Sequence, residues 1–157
     1  MRFKVIAIGN ILMGDDGVAL KIIDSIEERS KLSSFDLTCV KAETDIDFAL
    51  DHIEDGDYVF ILDSTSLGEY YGQITLLSLQ QAKNHCDELS YMHNFSLVSV
   101  INKANLNVDG TIIGIKIAKI SFNLELSEEI KNKLDDICNE VYKIIEDKCM
   151  KLGESYA

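Results

Sequence analysis

Apolar residues fall along this chain in two rhythms: short continuous runs, and longer stretches that repeat every three or four residues. Phe3–Ile8 is the first run and reads as a buried strand. Val18, Ile22, Ile23 and Ile26 then stand at helical spacing and predict an amphipathic helix of about 12 residues or more. Leu37–Val40 reads as a short strand, and Ile46, Leu50 and Ile53 share a helical face that ends at Gly56. Tyr58–Leu62 is a continuous apolar run of the kind found in strands covered on both faces. Ile74–Leu77, after Gly72-Gln73, follows too closely for a helical crossover, so it is expected to pair antiparallel at an edge. Phe95, Val98, Val100 and Ile101 mark a helix after Tyr91-Met92-His93, and Thr111–Ile120 alternates as a strand should. Ser127 stands where it can cap a last helix, with Glu128 and Glu129 favourably placed in its first turn. Ile130, Leu134, Ile137, Val141 and Ile144 are its expected buried stripe.

The order β-α-β-α-β-β-α-β-α predicts an α/β sandwich around a five-stranded, mostly parallel sheet with one antiparallel strand. At 157 residues the chain can bury a proper core, and without linker, repeat or low-complexity segment it reads as a single domain over residues 1–157.

Charge narrows the function. A formal net charge of −12 argues against nucleic acid or an anionic membrane surface as partner, since both need basic faces. No apolar run approaches the roughly 18 residues needed to span a bilayer. The first strand begins almost at once, so no secretory signal is expected and the cytoplasm is the expected compartment. Cys39, Cys86, Cys138 and Cys149 lie far apart with no Cys-x-x-Cys pair, which is not zinc-ribbon spacing. In a reducing compartment they read as ordinary thiols. Proline is absent altogether.

Candidate chemistry gathers where parallel strands end. In open parallel sheets ligands bind beyond the carboxyl ends of the strands, and three segments arrive there. Gly9 to Gly17, a glycine-rich joint after the first strand, resembles a phosphate cradle in outline. Its spacing is not Gly-x-Gly-x-x-Gly, however, and it carries the adjacent carboxylates Asp15 and Asp16, which suit a cation better. One of the pair is expected to face the crevice and the other to cap the following helix. Glu43-Thr44-Asp45-Ile46-Asp47 follows the second strand, and Asp63-Ser64-Thr65-Ser66 the third, with Asp63 expected at the strand tip. His93, between an irregular polar stretch and a helix, is the imidazole best placed to join them, whereas His52 and His85 look exposed. Two carboxylates and an imidazole suit a borderline divalent ion such as nickel or zinc and leave coordination positions open. No Gly-x-Ser-x-Gly elbow exists, and no cysteine stands at a strand tip beside a base.

These residues resemble the hydrogenase maturation endopeptidases, which process the large subunit of [NiFe]-hydrogenases. Ile8-Gly9-Asn10-Ile11-Leu12-Met13-Gly14-Asp15-Asp16-Gly17 is similar to that family's opening signature. Val59-Phe60-Ile61-Leu62-Asp63 followed by Gly72-Gln73-Ile74 resembles its second motif, and Met92-His93-Asn94-Phe95-Ser96-Leu97 its histidine motif. Ile113-Gly114-Ile115-Lys116-Ile117 and Leu126-Ser127 resemble its late strand and final helix start. The details look closest to the branch serving membrane-bound, hydrogen-evolving hydrogenases. The resemblance implies a three-layer sandwich with helices on both faces of a twisted sheet, and metal-binding positions at Asp16, Asp63 and His93. Asp15 would then be a helix cap or a supporting residue.

It further implies an aspartate-type, metal-dependent peptidase acting as a monomer on the large-subunit precursor. The cofactor would be the nickel which that precursor presents, with another divalent ion possible in the isolated protein. Cleavage would remove a C-terminal extension once nickel is inserted. The rival reading is a non-catalytic chaperone of the same fold that checks for nickel without cutting. Ala19, the proline-free Gly114–Ile117 stretch and Ala42-Glu43-Thr44 depart from the family pattern; the last two bear on substrate choice.

Overall fold

The computed structural model describes residues 1–84 and 93–155. Its sheet has five strands, β1 (Phe3–Ile8), β2 (Leu37–Glu43), β3 (Tyr58–Thr65), β4 (Ile74–Ser78) and β5 (Asp109–Lys116), in the order β2-β1-β3-β5-β4. β1 pairs parallel with β2 and β3, β3 pairs parallel with β5, and only β4 runs antiparallel, at the edge. The edge position of Ile74–Leu77 thus follows the short connection, as expected.

Side chains alternate across the sheet and build two cores. Val5, Ala7, Tyr58, Phe60, Leu62 and Ile113 face α1 (Val18–Ser30) and the long α6 (Leu134–Ser155). Ile6, Ile8, Val59, Ile61 and Ile112 face the other layer, formed by α2 (Ile46–Asp51), α3 (Leu79–Asn84) and α4 (His93–Lys103). Both faces are therefore covered, which explains why β1 and β3 read as unbroken apolar runs.

Several boundaries differ from the sequence reading, each for a visible reason. β3 continues past Leu62 because β5 pairs beside it as far as Thr65↔Lys116. Asp63 therefore lies inside the paired strand, opposite Gly114, and not at its tip. β5 stops at Lys116, short of Ile120, because the amides of Ala118 and Lys119 donate to the Asp15 carboxylate instead of a neighbouring strand. The last helix is two: Ser127 caps the short α5 (Glu128–Lys131) through Ile130 N, and α6 starts at Leu134. At the joint the Lys133 amide donates to Ile130 O, a three-residue step that turns the axis. Within α6 the buried residues are Ile137, Cys138, Val141, Ile145 and Cys149, so Ile144 is only half-buried. Helix α3 carried a readable signal that the apolar pattern obscured. Ser78 Oγ accepts from Gln81 N at 3.1 Å, and Gln81 Oε1 accepts from Ser78 N at 3.0 Å, a reciprocal capping box.

Candidate functional site

The Gly9–Gly17 joint opens with a backbone only glycine adopts. Gly9 has φ +153°, and a Cβ there would stand 2.1 Å from the Asp16 carbonyl oxygen. Its amide donates to Glu43 O at 2.9 Å, which ties the joint to the end of β2. Asn10 then folds the loop back by accepting from Leu12 N through its side chain at 3.0 Å, an Asx turn. A single 3-10 turn, Gly14–Gly17, delivers Asp15 and Asp16 before α1 begins. Because the Gly9 methylene is the contact surface for the Asp16 backbone, Gly9→Ala should displace that turn. The expected outcome is a cost of about 2 kcal/mol or more, read as a lower urea midpoint.

The two aspartates part ways. Asp15 is completely buried, and its carboxylate is fully engaged far along the chain. Its Oδ1 accepts from Ser127 N at 2.7 Å, and its Oδ2 accepts from Ser127 Oγ at 2.8 Å, Lys119 N at 3.0 Å and Ala118 N at 3.1 Å. It does not cap α1, whose N-cap position, Gly17, makes no side-chain bond. It pins the 118–127 segment against the first loop. Asp15→Asn turns one acceptor toward N–H and O–H donors, so a loss of about 3 kcal/mol in unfolding free energy is expected, checked by chemical denaturation.

Asp16 faces the crevice. It is 4% exposed and Asp63 is 2% exposed, and both line one cavity of about 490 Å³ at the carboxyl ends of the parallel strands. Ser64 links them directly. Its hydroxyl donates to Asp16 Oδ1 at 2.7 Å, while its amide donates to Asp63 Oδ1 at 2.8 Å. The Asn10 amide holds the second Asp16 oxygen at 3.0 Å. The sequence offers Ser64 only as a neighbour of Asp63, because its contact with Asp16 spans 48 positions of sequence.

His93 is the first residue of α4, on the sheet face toward which β3 turns Val59 and Ile61. Its side chain lies outside the described residues, as does the whole of His85. His52 is the C-cap residue after α2 and is half-buried, not exposed as expected, with Nδ1 2.8 Å from Phe48 O. Among the described residues no group of three His, Cys, Asp or Glu side chains forms a metal cage. Asp16 and Asp63 are hard, anionic oxygen donors on one cavity, a chemistry that fits a divalent cation needing further ligands from elsewhere.

Other candidates lack this convergence. Burial raises the Cys39 thiol to about 11 and the Cys149 thiol to about 12, and it raises Cys138 as well. All three stay protonated at neutral pH and do not serve as ready nucleophiles. A larger groove of about 580 Å³ lies at the other end of the sheet, between β4, β5 and α6. It holds Asp109, Asp147, Lys148 and Lys151 at its surface but none of the buried carboxylates.

Fold and site together define a class: a three-layer α/β protein with two buried aspartates at the carboxyl edge of its parallel strands. The profile of the hydrogenase maturation protease family matches residues 20–144. The chain belongs to that family. Solved structures of similar fold include the hydrogenase maturating endopeptidase HybD from E. coli, at 16% identity and TM-score 0.75, covering 94% of each chain. The [NiFe] hydrogenase maturation protease HybD from Thermococcus kodakarensis is 22% identical at TM-score 0.69, covering 92% of this chain and 99% of that one. The [NiFe] hydrogenase maturation protease HycI from the same organism is 18% identical at TM-score 0.65, covering 92% of each. No curated protein sequence matches the chain. No described helix is long and apolar enough to cross a membrane.

Proposed function

We propose that this protein is a nickel-dependent endopeptidase that removes the C-terminal extension of a [NiFe]-hydrogenase large-subunit precursor after nickel has been inserted. The observation that carries the reading is the pair Asp16 and Asp63, both nearly buried, lining one cavity and joined through Ser64. Nickel here belongs to the substrate, held by the precursor's own cysteines. Asp16 and Asp63 would offer it carboxylate oxygens and His93 an imidazole nitrogen, and a metal so held can polarise a carbonyl or a water. Family membership supports the protease over a chaperone that holds the precursor uncut. The detail of the motifs supports the branch serving hydrogen-evolving, membrane-bound hydrogenases.

Ser64 keeps the carboxylates oriented. Ser64→Ala removes the hydroxyl bond to Asp16 but keeps the backbone bond to Asp63, so a fall of about tenfold in kcat/KM is expected, with Ser64→Thr restoring much of it. The reading as a whole is tested in a host lacking its own processing protease. Expression of this protein should shorten the large-subunit precursor on a denaturing gel. A precursor that stays full length beside abundant folded protein would overturn it.

A further inference from the structure

The cavity that holds Asp16 and Asp63 also holds a cation. Lys116, the last residue of β5, is half-buried and belongs to the lining. In the parallel ladder Gly114 stands beside Asp63 and Lys116 beside Thr65, so Asp63 and Lys116 leave the same face of the sheet. A strand spacing of about 4.8 Å and a rise of about 3.3 Å per residue put their α-carbons about 8 Å apart. The position between them is bare. A Cβ at Gly114 would stand 2.8 Å from Thr75 Oγ1 and 3.1 Å from Thr65 Cγ2, so a side chain is excluded there.

Lys116 is fixed through its backbone and its side chain. Its amide donates to Gln73 O at 2.9 Å and its carbonyl accepts from Gly72 N at 2.7 Å, two residues against one, which is a β-bulge. Its Nζ donates to Ser66 O at 2.6 Å and lies 6.0 Å from the Tyr71 ring centre. Ser66 and Tyr71 line the same cavity, so the ammonium sits within it. An ammonium has three N–H donors. One carbonyl and one ring face leave a donor to spare, and neither partner neutralises the charge. Lys119, the other lysine of the lining, is exposed, and among the described residues no bond holds its ammonium.

We propose that Lys116 is a catalytic residue whose ammonium holds the negative charge that forms on the scissile carbonyl oxygen. The inference rests on the protease reading of the site and adds the group that meets the charge made by the reaction. In hydrolysis the water oxygen bonds to the carbonyl carbon, the π pair moves onto the carbonyl oxygen, and the water gives up one proton. The oxyanion then returns its pair, the C–N bond breaks with its own pair on nitrogen, and nitrogen takes the proton. The products are a carboxyl group, which ionises, and an amine. Two aspartates match the charge of one divalent ion, but both repel an oxyanion. Lys116 supplies the missing sign. A charge fixed in advance in a site shielded from water stabilises developing charge without having to rearrange.

The test is single-turnover cleavage of the nickel-loaded large-subunit precursor by wild type, Lys116→Gln and Lys116→Arg, with precursor affinity measured by calorimetry. Glutamine keeps an N–H for Ser66 O and removes the charge, whereas arginine keeps both. Lys116→Gln is expected to cut about 100-fold more slowly at saturation, with affinity within about threefold of wild type. Lys116→Arg should keep at least about a tenth of the wild-type rate. Melting temperatures should match, and Lys116→Met, which keeps the stem beside the Tyr71 ring, replaces the Gln variant if that one melts early. A charge-free variant that cuts within about threefold of wild type would overturn the inference and leave the protease reading intact. So would a loss confined to affinity, which marks a group that binds the uncut chain, or an Arg variant as slow as the Gln variant. Wild type that binds the precursor and never cuts it would overturn the protease reading, and the role of Lys116 with it.

Discussion

Asp63→Asn is expected to abolish release of the C-terminal peptide while leaving the fold in place. Asp63 sits within β3, paired with Gly114 of β5 just past the last β1 partner, Leu62, so its strand position does not depend on its side chain. Asparagine keeps the size and the oxygen that accepts from Ser64 N. It removes the anionic charge, which is what a divalent cation needs from this position. A fall of about 10³-fold or more, equivalent to about 4 kcal/mol in the barrier, is expected in single-turnover cleavage. Asp16→Asn should do the same, with Asn10 N and Ser64 Oγ still holding the loop turn. Circular dichroism and melting curves close to wild type would separate lost chemistry from lost structure. Cleavage by either variant at the wild-type rate would remove that residue from the site.

Cleavage is expected to depend on nickel in the precursor. Two carboxylates and an imidazole have little intrinsic preference for nickel, since affinity at nitrogen and oxygen sites follows the general order of the divalent metals. On the proposed function, selectivity would come from the cysteine-held metal on the substrate, with this protein completing its coordination. Nickel-free precursor should be cut at least about 100-fold more slowly than the loaded form, and added zinc should not restore the rate. Peptide release, followed by mass spectrometry, gives the comparison. Efficient release from metal-free precursor would exclude metal recognition altogether, and efficient release with zinc would exclude only the nickel preference.

That Asp16 and Asp63 would reach one cavity was legible because each stands in a locally marked segment. Three glycines and an asparagine between a strand and a helix mark an irregular joint, and two carboxylates inside it are costly without a purpose. The apolar run before Asp63 likewise placed that aspartate near a strand end. What could not be read was the partner of each group. Asp15 looked like a helix cap because caps are local, yet its bonds reach Ala118, Lys119 and Ser127, more than a hundred positions away. Those same bonds end β5 at Lys116, against an alternating pattern that runs on to Ile120. Ser64 gained its role only when the sheet brought β3 beside the first loop. Helix α3 is a different kind of miss, since Ser78 and Gln81 spelled out its start.

A C-terminal peptide is expected to be cut from the nickel-loaded precursor. Purified protein and purified nickel-loaded large-subunit precursor should be mixed and the intact mass of the precursor followed with time, beside an Asp63→Asn control. A single step down in mass is expected, equal to one C-terminal peptide recovered in the same spectrum, with no change in the control. A precursor whose mass stays constant while it forms a stable complex with the wild-type protein would contradict it and identify a chaperone instead.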